Sequence, residues 1–264
     1  MALRKEWLLP LARVVVQHGM KGPAFSLGDQ VTYFTYDYAT SKLRARGLLL
    51  NPTPPLFPSH ENPRFVSART VMHMLGVAEY YDIDLNGRAA LTIDFSKELP
   101  RSLWHSAGLI LDVGTTEHIF DIAHVYTNIV NMLGRGGFVL HYAPVSWFNH
   151  GFVNFNPLFF REFYERNHFD VLEHSLVFAP FHGIARFFRS VLGLKSAGES
   201  SGTPIAFQIS DDRYFFDLLT EYVGIPAQCT LLFAAKKTAD SESVTFPVQG
   251  MYRPAISKSI GAHG

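Results

Sequence analysis

The chain has 264 residues, 47% of them hydrophobic, which suits one large α/β domain with a substantial core. Lys+Arg and Asp+Glu both number 23, so the formal net charge is zero, and this argues against a general nucleic-acid binder, whose basic surface must neutralise phosphates. The single cysteine, Cys229, excludes an internal disulfide and a zinc site built on several thiolates, and it fits a reducing compartment.

In chain order, the spacing predicts a helix over 3–19, ended by Gly19 and Gly22-Pro23. Pro10 and Arg13 interrupt its apolar run and no small-residue cleavage site follows, so it reads as a surface helix and not a signal peptide. No apolar run reaches the roughly 18 residues of a membrane span, and a soluble cytoplasmic protein is the expectation. Ala24-Phe25-Ser26-Leu27 is a short strand that stops at Gly28-Asp29-Gln30. Residues 31–64 are irregular, with Tyr33, Phe34, Tyr36 and Tyr38, a basic helical piece near Lys42 to Arg46, and a proline-rich loop. A loop of that length in a compact domain is usually functional.

A short helix over 66–76 precedes two strands that end in acid, Glu79 to Asp84 and Ala89 to Asp94, and Leu109 to Asp112 is a third. A helix over 119–133 sets Ile119, Ile122, Ala123, Tyr126, Val130 and Leu133 on one face and stops at Gly134. A strand at 138–143 follows, then a helix at 157–167 with Pro157 in its first turn, then a strand at 169–178. Residues 180–195 are basic and amphipathic, suited to a lid, a packing helix or contact with a membrane surface. A flexible loop at 196–204, a helix from Asp211 to Tyr222 and a last strand from Gln228 to Ala235 come next, and the last helix–strand piece could supply an edge strand. The tail, 238–264, has no periodicity. Strands alternate with helices, which calls for a single α/β domain over 1–264: a mostly parallel sheet, helices on both faces, an antiparallel edge strand, and substrate-side insertions at 31–64 and 180–224.

Ligands of open α/β sheets bind beyond the carboxyl ends of the strands. An acid at the second strand's end, Asp84, suits both hydroxyls of a ribose, and one at the third, Asp94, suits an adenine amino group; singly, each also suits a turn or a cap. The glycine fingerprint that lets a pyrophosphate approach the backbone is missing, since only Leu27-Gly28-Asp29-Gln30 follows the first strand. An adenosyl ligand without a pyrophosphate is therefore favoured over NAD or FAD.

These segments resemble class I S-adenosylmethionine-dependent methyltransferases, in particular small-molecule methyltransferase-like proteins with a divergent first motif. The resemblance rests on Leu27-Gly28-Asp29-Gln30, Ile83-Asp84-Leu85, Asp94 to Leu99-Pro100, Asp112-Val113-Gly114-Thr115-Thr116-Glu117-His118, Met132 to Gly137, and Asn149-His150-Gly151-Phe152 with Phe155 and Pro157. It implies a Rossmann-like class I methyltransferase fold and S-adenosylmethionine as cofactor. By the same resemblance Gly28 lets the backbone approach the methionine part, Asp29 and Gln30 also touch the cofactor, Asp84 meets the ribose, Leu85 the adenine, Asp94 and Phe95 the adenine edge, and Val113, Gly114 and Thr115 the methionine end. The chain departs from the usual pattern at the first motif, reduced to one glycine, and at Gly108, where the family often carries aspartate.

Methyl transfer then needs a positioned acceptor and, for some acceptors, a base. His118 and His150 are the candidate bases, with Glu117 to orient a histidine or take the proton; His118 also suits packing on the next helix, His150 a loop hydrogen bond, and Glu117 a helix start. No metal is expected, although His118, His141 and His150 with Glu117 have the residue types of a 2-His-1-carboxylate centre. Gly114-Thr115-Thr116 lacks the features of a nucleophile elbow, and Cys229 reads as a buried strand residue. The expected function is methyl transfer to an O, N or C acceptor on a small molecule with an apolar or planar part, with no nucleic-acid partner. The alternatives are an S-adenosylmethionine-binding protein that runs another reaction or none, and a module at a membrane or protein surface.

Overall fold

The computed structural model describes residues 2–48, 50–57, 59–178, 205–208, 228–240 and 243–248. The expected segments at 180–195, 196–204 and 211–222, and most of the tail, lie outside them. Nine strands are described: β1 (Ala2–Leu3), β2 (Ala24–Leu27), β3 (Val31–Thr32), β4 (Tyr80–Ile83), β5 (Ala107–Val113), β6 (Leu133–Pro144), β7 (Phe169–Phe178), β8 (Ile205–Gln208) and β9 (Thr230–Lys237). The helices are α1 (Leu8–Ala12), α2 (Tyr36–Arg44), α3 (Ala68–Met74), α4 (Ile122–Met132) and α5 (Pro157–Arg166). Among the described residues no helix is long and apolar enough to cross a membrane.

Seven strands form one sheet in the order β4-β2-β5-β6-β9-β7-β8. β2 runs parallel to β4 and to β5, with Leu27 level with Ile83 on one side and with Asp112 on the other. The next residue of each strand, Gly28, Asp84 and Val113, therefore sits at one level along the sheet's edge. That register is the reason three segments distant in sequence share a site.

β9 runs antiparallel to β6 and to β7, and β8, antiparallel to β7, forms the edge. The last strand was expected at the edge, but Leu231 to Ala235 are all buried, so both faces and both sides need neighbours. A second difference is at 89–94. Only Leu91 reaches the sheet, as a parallel bridge to Ile83. Asn86 Oδ1 accepts from the amides of Arg88 and Ala89 and holds that stretch in a loop, a side-chain turn that competes with the ladder. A third is the start of α4: the Asp121 carboxylate accepts from the amide of His124, so the helix is capped there, and Thr116–His118 form a separate 3-10 turn.

Alternation along the strands divides the core in two. Leu109, Leu111 and Val113 of β5 with Phe138 and Leu140 of β6 face α1 and α3, meeting Leu8, Leu11, Val71 and Met72. Ile110, Val139 and Phe233 face α4 and α5, meeting Val125, Ile129, Phe160 and Phe163. Lys237 is buried at the end of β9, where its ammonium donates to the carbonyls of Val130 and Leu133 and satisfies the end of α4.

The glycine at 108 has a steric cause. A Cβ there would lie 1.8 Å from the carbonyl oxygen of Lys21, so the main chain entering β2 leaves no room for the aspartate expected from the resemblance.

Candidate functional site

The strand tips bring together most of the residues singled out for the cofactor. Gly28, at φ 84°, turns the chain away from β2, and its amide donates to Ile83 at 2.7 Å. The Asp84 carboxylate accepts from the amide of Asp29 on one oxygen, at 2.9 Å, and from Leu85 and Asn86 on the other, at 2.7 and 3.2 Å. Gln30 donates its amide to the carbonyl of Leu27, while its own oxygen is buried without a partner among the described residues. The Thr115 hydroxyl donates to that same Leu27 carbonyl and joins the β5 tip to the β2 tip. Leu85 is 63% exposed beside this group. Asp94 lies in a turn, where hydrogen bonds from Ser96 hold its carboxyl below the usual range. Phe95 points into the α4-side core, so its ring forms no part of the surface at the tips.

Beside the β5 tip opens a cavity of about 240 Å³. Val113 and Gly114 form part of its lining, with Tyr142, Pro144 and Thr230 from the neighbouring strands. Glu117 and His118 enter from the 3-10 turn, and Trp147 and His150 from the loop after β6. Arg4 and Tyr33 complete the lining, and the Arg4 guanidinium lies 5.7 Å over the Trp147 ring. Composition gave no sign of Arg4 or Trp147. The aromatics of the 31–64 insertion did point toward Tyr33.

Glu117, His118 and His150 meet at this wall. Nε2 of His150 lies 3.5 Å and Nε2 of His118 3.9 Å from Oε1 of Glu117. The two imidazoles pack edge to face, 5.0 Å between centroids. His150 is brought there by its loop: the amide of Phe152 donates to the carbonyl of Glu117 at 2.7 Å, with Asn149 and Gly151 both at positive φ. Glu117 is 1% exposed, and among the described residues neither carboxyl oxygen has a hydrogen-bond partner. Burial, with the nearby Asp112 charge, pushes its carboxyl up to about 8. Burial lowers both histidines, aided at His118 by His150 and at His150 by Arg4.

His141 is elsewhere. Its Nδ1 lies 2.7 Å from Asp112 and its Nε2 2.5 Å from the Tyr164 hydroxyl, so both nitrogens are engaged in the core. Asp112 also accepts from the amides of Thr115 and Thr116 and from the Thr116 hydroxyl. This network anchors the turn that presents Glu117, and it removes His141 from any ligand set with His118 and His150. Cys229 is buried at the start of β9, as expected, and burial raises its thiol to about 11.

No family model matches the sequence, and no curated protein matches it. Solved structures do. An S-adenosylmethionine-dependent methyltransferase from Archaeoglobus fulgidus aligns at TM-score 0.44 and 12% identity over 88% of this chain and 94% of the other. One from Thermotoga maritima aligns at 0.39 and 12% over 88% and 87%. Phosphoethanolamine N-methyltransferase 2 of Haemonchus contortus, in complex with S-adenosyl-L-methionine, aligns at 0.38 and 12% over 89% and 53%. The sheet runs parallel through β4, β2, β5 and β6, and antiparallel β9 is inserted before β7. The fold is a Rossmann-like α/β one, mostly parallel with an antiparallel edge.

The residues at these tips fit the adenosyl cofactor that the sequence resemblance implies. A carboxylate offers about four lone-pair sites, and three on Asp84 are taken by amides, which leaves one acceptor for a ribose hydroxyl. The exposed side chain of Leu85 offers an apolar face. The Gln30 oxygen, without a partner among the described residues, is a buried acceptor two residues on from Gly28, of the type that suits an ammonium group.

Proposed function

We propose that the chain transfers a methyl group from S-adenosylmethionine to an acceptor on a small molecule bound in the cavity beside Val113 and Gly114. One observation carries this reading: the residues that fit the cofactor's methionine end and the lining of the cavity share the tip of β5. When bound, the cofactor supplies an activated methyl group on a sulfonium. Asp84 and Leu85 would hold its adenosine, and Gln30 with Gly28 its methionine end.

The chain's own work is positioning and proton handling. Tyr33, Tyr142 and Trp147 suit an acceptor with a planar apolar part, and Arg4 suits an anionic group on it. Phe120, Phe148 and Phe152, between 68% and 98% exposed, lie near His118 and His150 in sequence, and the rings of Phe120 and Phe152 pack edge to face. The wall of Glu117, His118 and His150 is where an acceptor O–H or N–H would give up its proton. Incubation with methyl-labelled donor and a panel of aromatic hydroxy, carboxy and amino compounds tests this. Label should enter at least one acceptor, and His118→Ala/His150→Ala should slow it roughly 100-fold or more. Donor binding with no labelled product would favour the second reading, a cofactor-binding protein without methyl transfer, which the single-glycine first loop supports.

A further inference from the structure

We propose that Glu117, His118 and His150 form a binding site for one divalent first-row transition-metal ion at the wall of the cavity. Each offers one ligand atom, and the three atoms lie within 4.8 Å of one another. An ion bound at ~2.0–2.1 Å in a tetrahedral site holds its ligands ~3.4 Å apart. The two histidine–glutamate distances, 3.5 and 3.9 Å, are already close to that.

The second observation is the state of Glu117. Its side chain is 1% exposed, lines the cavity, and has neither oxygen hydrogen-bonded among the described residues. A buried carboxyl without a partner is costly in either protonation state: ionised, it lacks a counter-charge, and protonated, its O–H lacks an acceptor. A cation between Glu117 and the two imidazoles supplies the missing counter-charge and takes one carboxyl oxygen as its ligand. The loop that carries His150 is fixed to Glu117 by the Phe152 amide, with Asn149 at a left-handed φ of 60°.

Two imidazoles and one carboxylate form the donor set of mononuclear sites that keep open positions. Here the histidine side chains are 44% and 37% exposed, so the open positions give onto the cavity. Imidazole donors select the zinc and iron part of the series over magnesium or calcium. The role of the ion rests on the methyl-transfer reading: it would bind the acceptor oxygen as its conjugate base, with the proton passing to solvent and no electron exchanged. Arg4, beside Trp147 in the same cavity, leaves an anionic acceptor between two positive charges.

The test is metal uptake itself. Untagged, chelator-stripped protein is titrated with Zn²⁺ by calorimetry and with Co²⁺ by its visible absorption. The expected result is one ion per chain, weakened at least 100-fold in Glu117→Gln and in His118→Ala/His150→Ala, and unchanged in His124→Ala, a histidine outside the cluster. Circular dichroism checks each variant; if the double histidine variant unfolds, Glu117→Gln alone decides. No uptake, or equal uptake by wild type and Glu117→Gln, overturns the proposal. S-adenosylhomocysteine binding to the stripped protein is measured in parallel. Ion uptake without it supports the metal site and sinks the methyl-transfer reading; the reverse sinks the metal site alone.

Discussion

A Cβ on Gly151 would stand 2.8 Å from the carbonyl oxygen of Glu117 and 2.9 Å from its γ-carbon. The glycine is thus part of the site: its loop lies directly on the turn that carries the buried acid. Gly151 is also at φ 70°, where a side chain adds strain. Gly151→Ala should cost about 1–3 kcal/mol by chemical denaturation and should weaken whatever binds at His150. Unchanged stability would show that the loop does not pack on Glu117 this way.

The raised carboxyl of Glu117 makes a signed prediction about pH. In the unfolded chain it titrates near 4.5, and in the fold near 8. The folded state therefore binds more protons between those values, so this group's contribution is complete below the unfolded value and is lost as pH rises toward 8. The slope is at most about 1.4 kcal/mol per pH unit. His118 and His150, both lowered, act in the opposite sense, because their contribution fades as pH falls below about 6.5. Subtracting Glu117→Gln from wild type isolates the acid. With chelator present, the difference curve between pH 5 and 8 should show wild type losing stability relative to the variant as pH rises. A flat curve would contradict the burial of an unpaired acid.

Much of the site was legible because its residues are chemically specific and lie next to breaks in periodicity. Asp84, Asp112 and the Glu117-His118 pair follow apolar runs, and strand ends are where ligands bind. That His150 meets Glu117 was not legible, because it depends on two left-handed residues and a main-chain hydrogen bond across a loop. His141 was misplaced among possible ligands for a related reason. Period two along β6 puts it on the α5 face, where Tyr164 and Asp112 engage it, and only the register of β5 with β6 brings Asp112 level with it. The interior position of β9 was also hidden, since a buried antiparallel strand and a buried parallel one share the same continuous apolar run.

The Asp112–His141–Tyr164 network should be structural in its first effect and electrostatic in its second. Asp112→Asn removes a buried acceptor shared by Thr116 and His141, at an expected cost of about 3 kcal/mol or more. Tyr164→Phe removes one hydroxyl and should cost about 1–2 kcal/mol. Because the Asp112 charge helps raise Glu117, the asparagine variant should also move the Glu117 transition to lower pH. Denaturation curves across pH read both effects. A destabilised Asp112→Asn with an unmoved transition would separate the two acids electrostatically.

Gly108→Asp would install the residue often found at the start of this strand in the methyltransferases that the sequence resembles. The Lys21 carbonyl, 1.8 Å from the new Cβ, forbids it without moving the chain that enters β2. The variant should lose several kcal/mol or fail to fold, and Gly108→Ala should be nearly as damaging. A melting temperature equal to wild type for either would refute the close approach.

The central claim is that an adenosyl cofactor lies across the tips of β2, β4 and β5, held at its ribose by Asp84. Calorimetric titration with S-adenosylhomocysteine tests it most directly, comparing wild type with Asp84→Asn, which keeps the contacts to Leu85 and Asn86. Wild type should bind at one site, and the asparagine variant at least about 10-fold more weakly, as expected for loss of a hydrogen bond to a charged group. No binding by folded wild type, or equal binding by both proteins, would contradict the account.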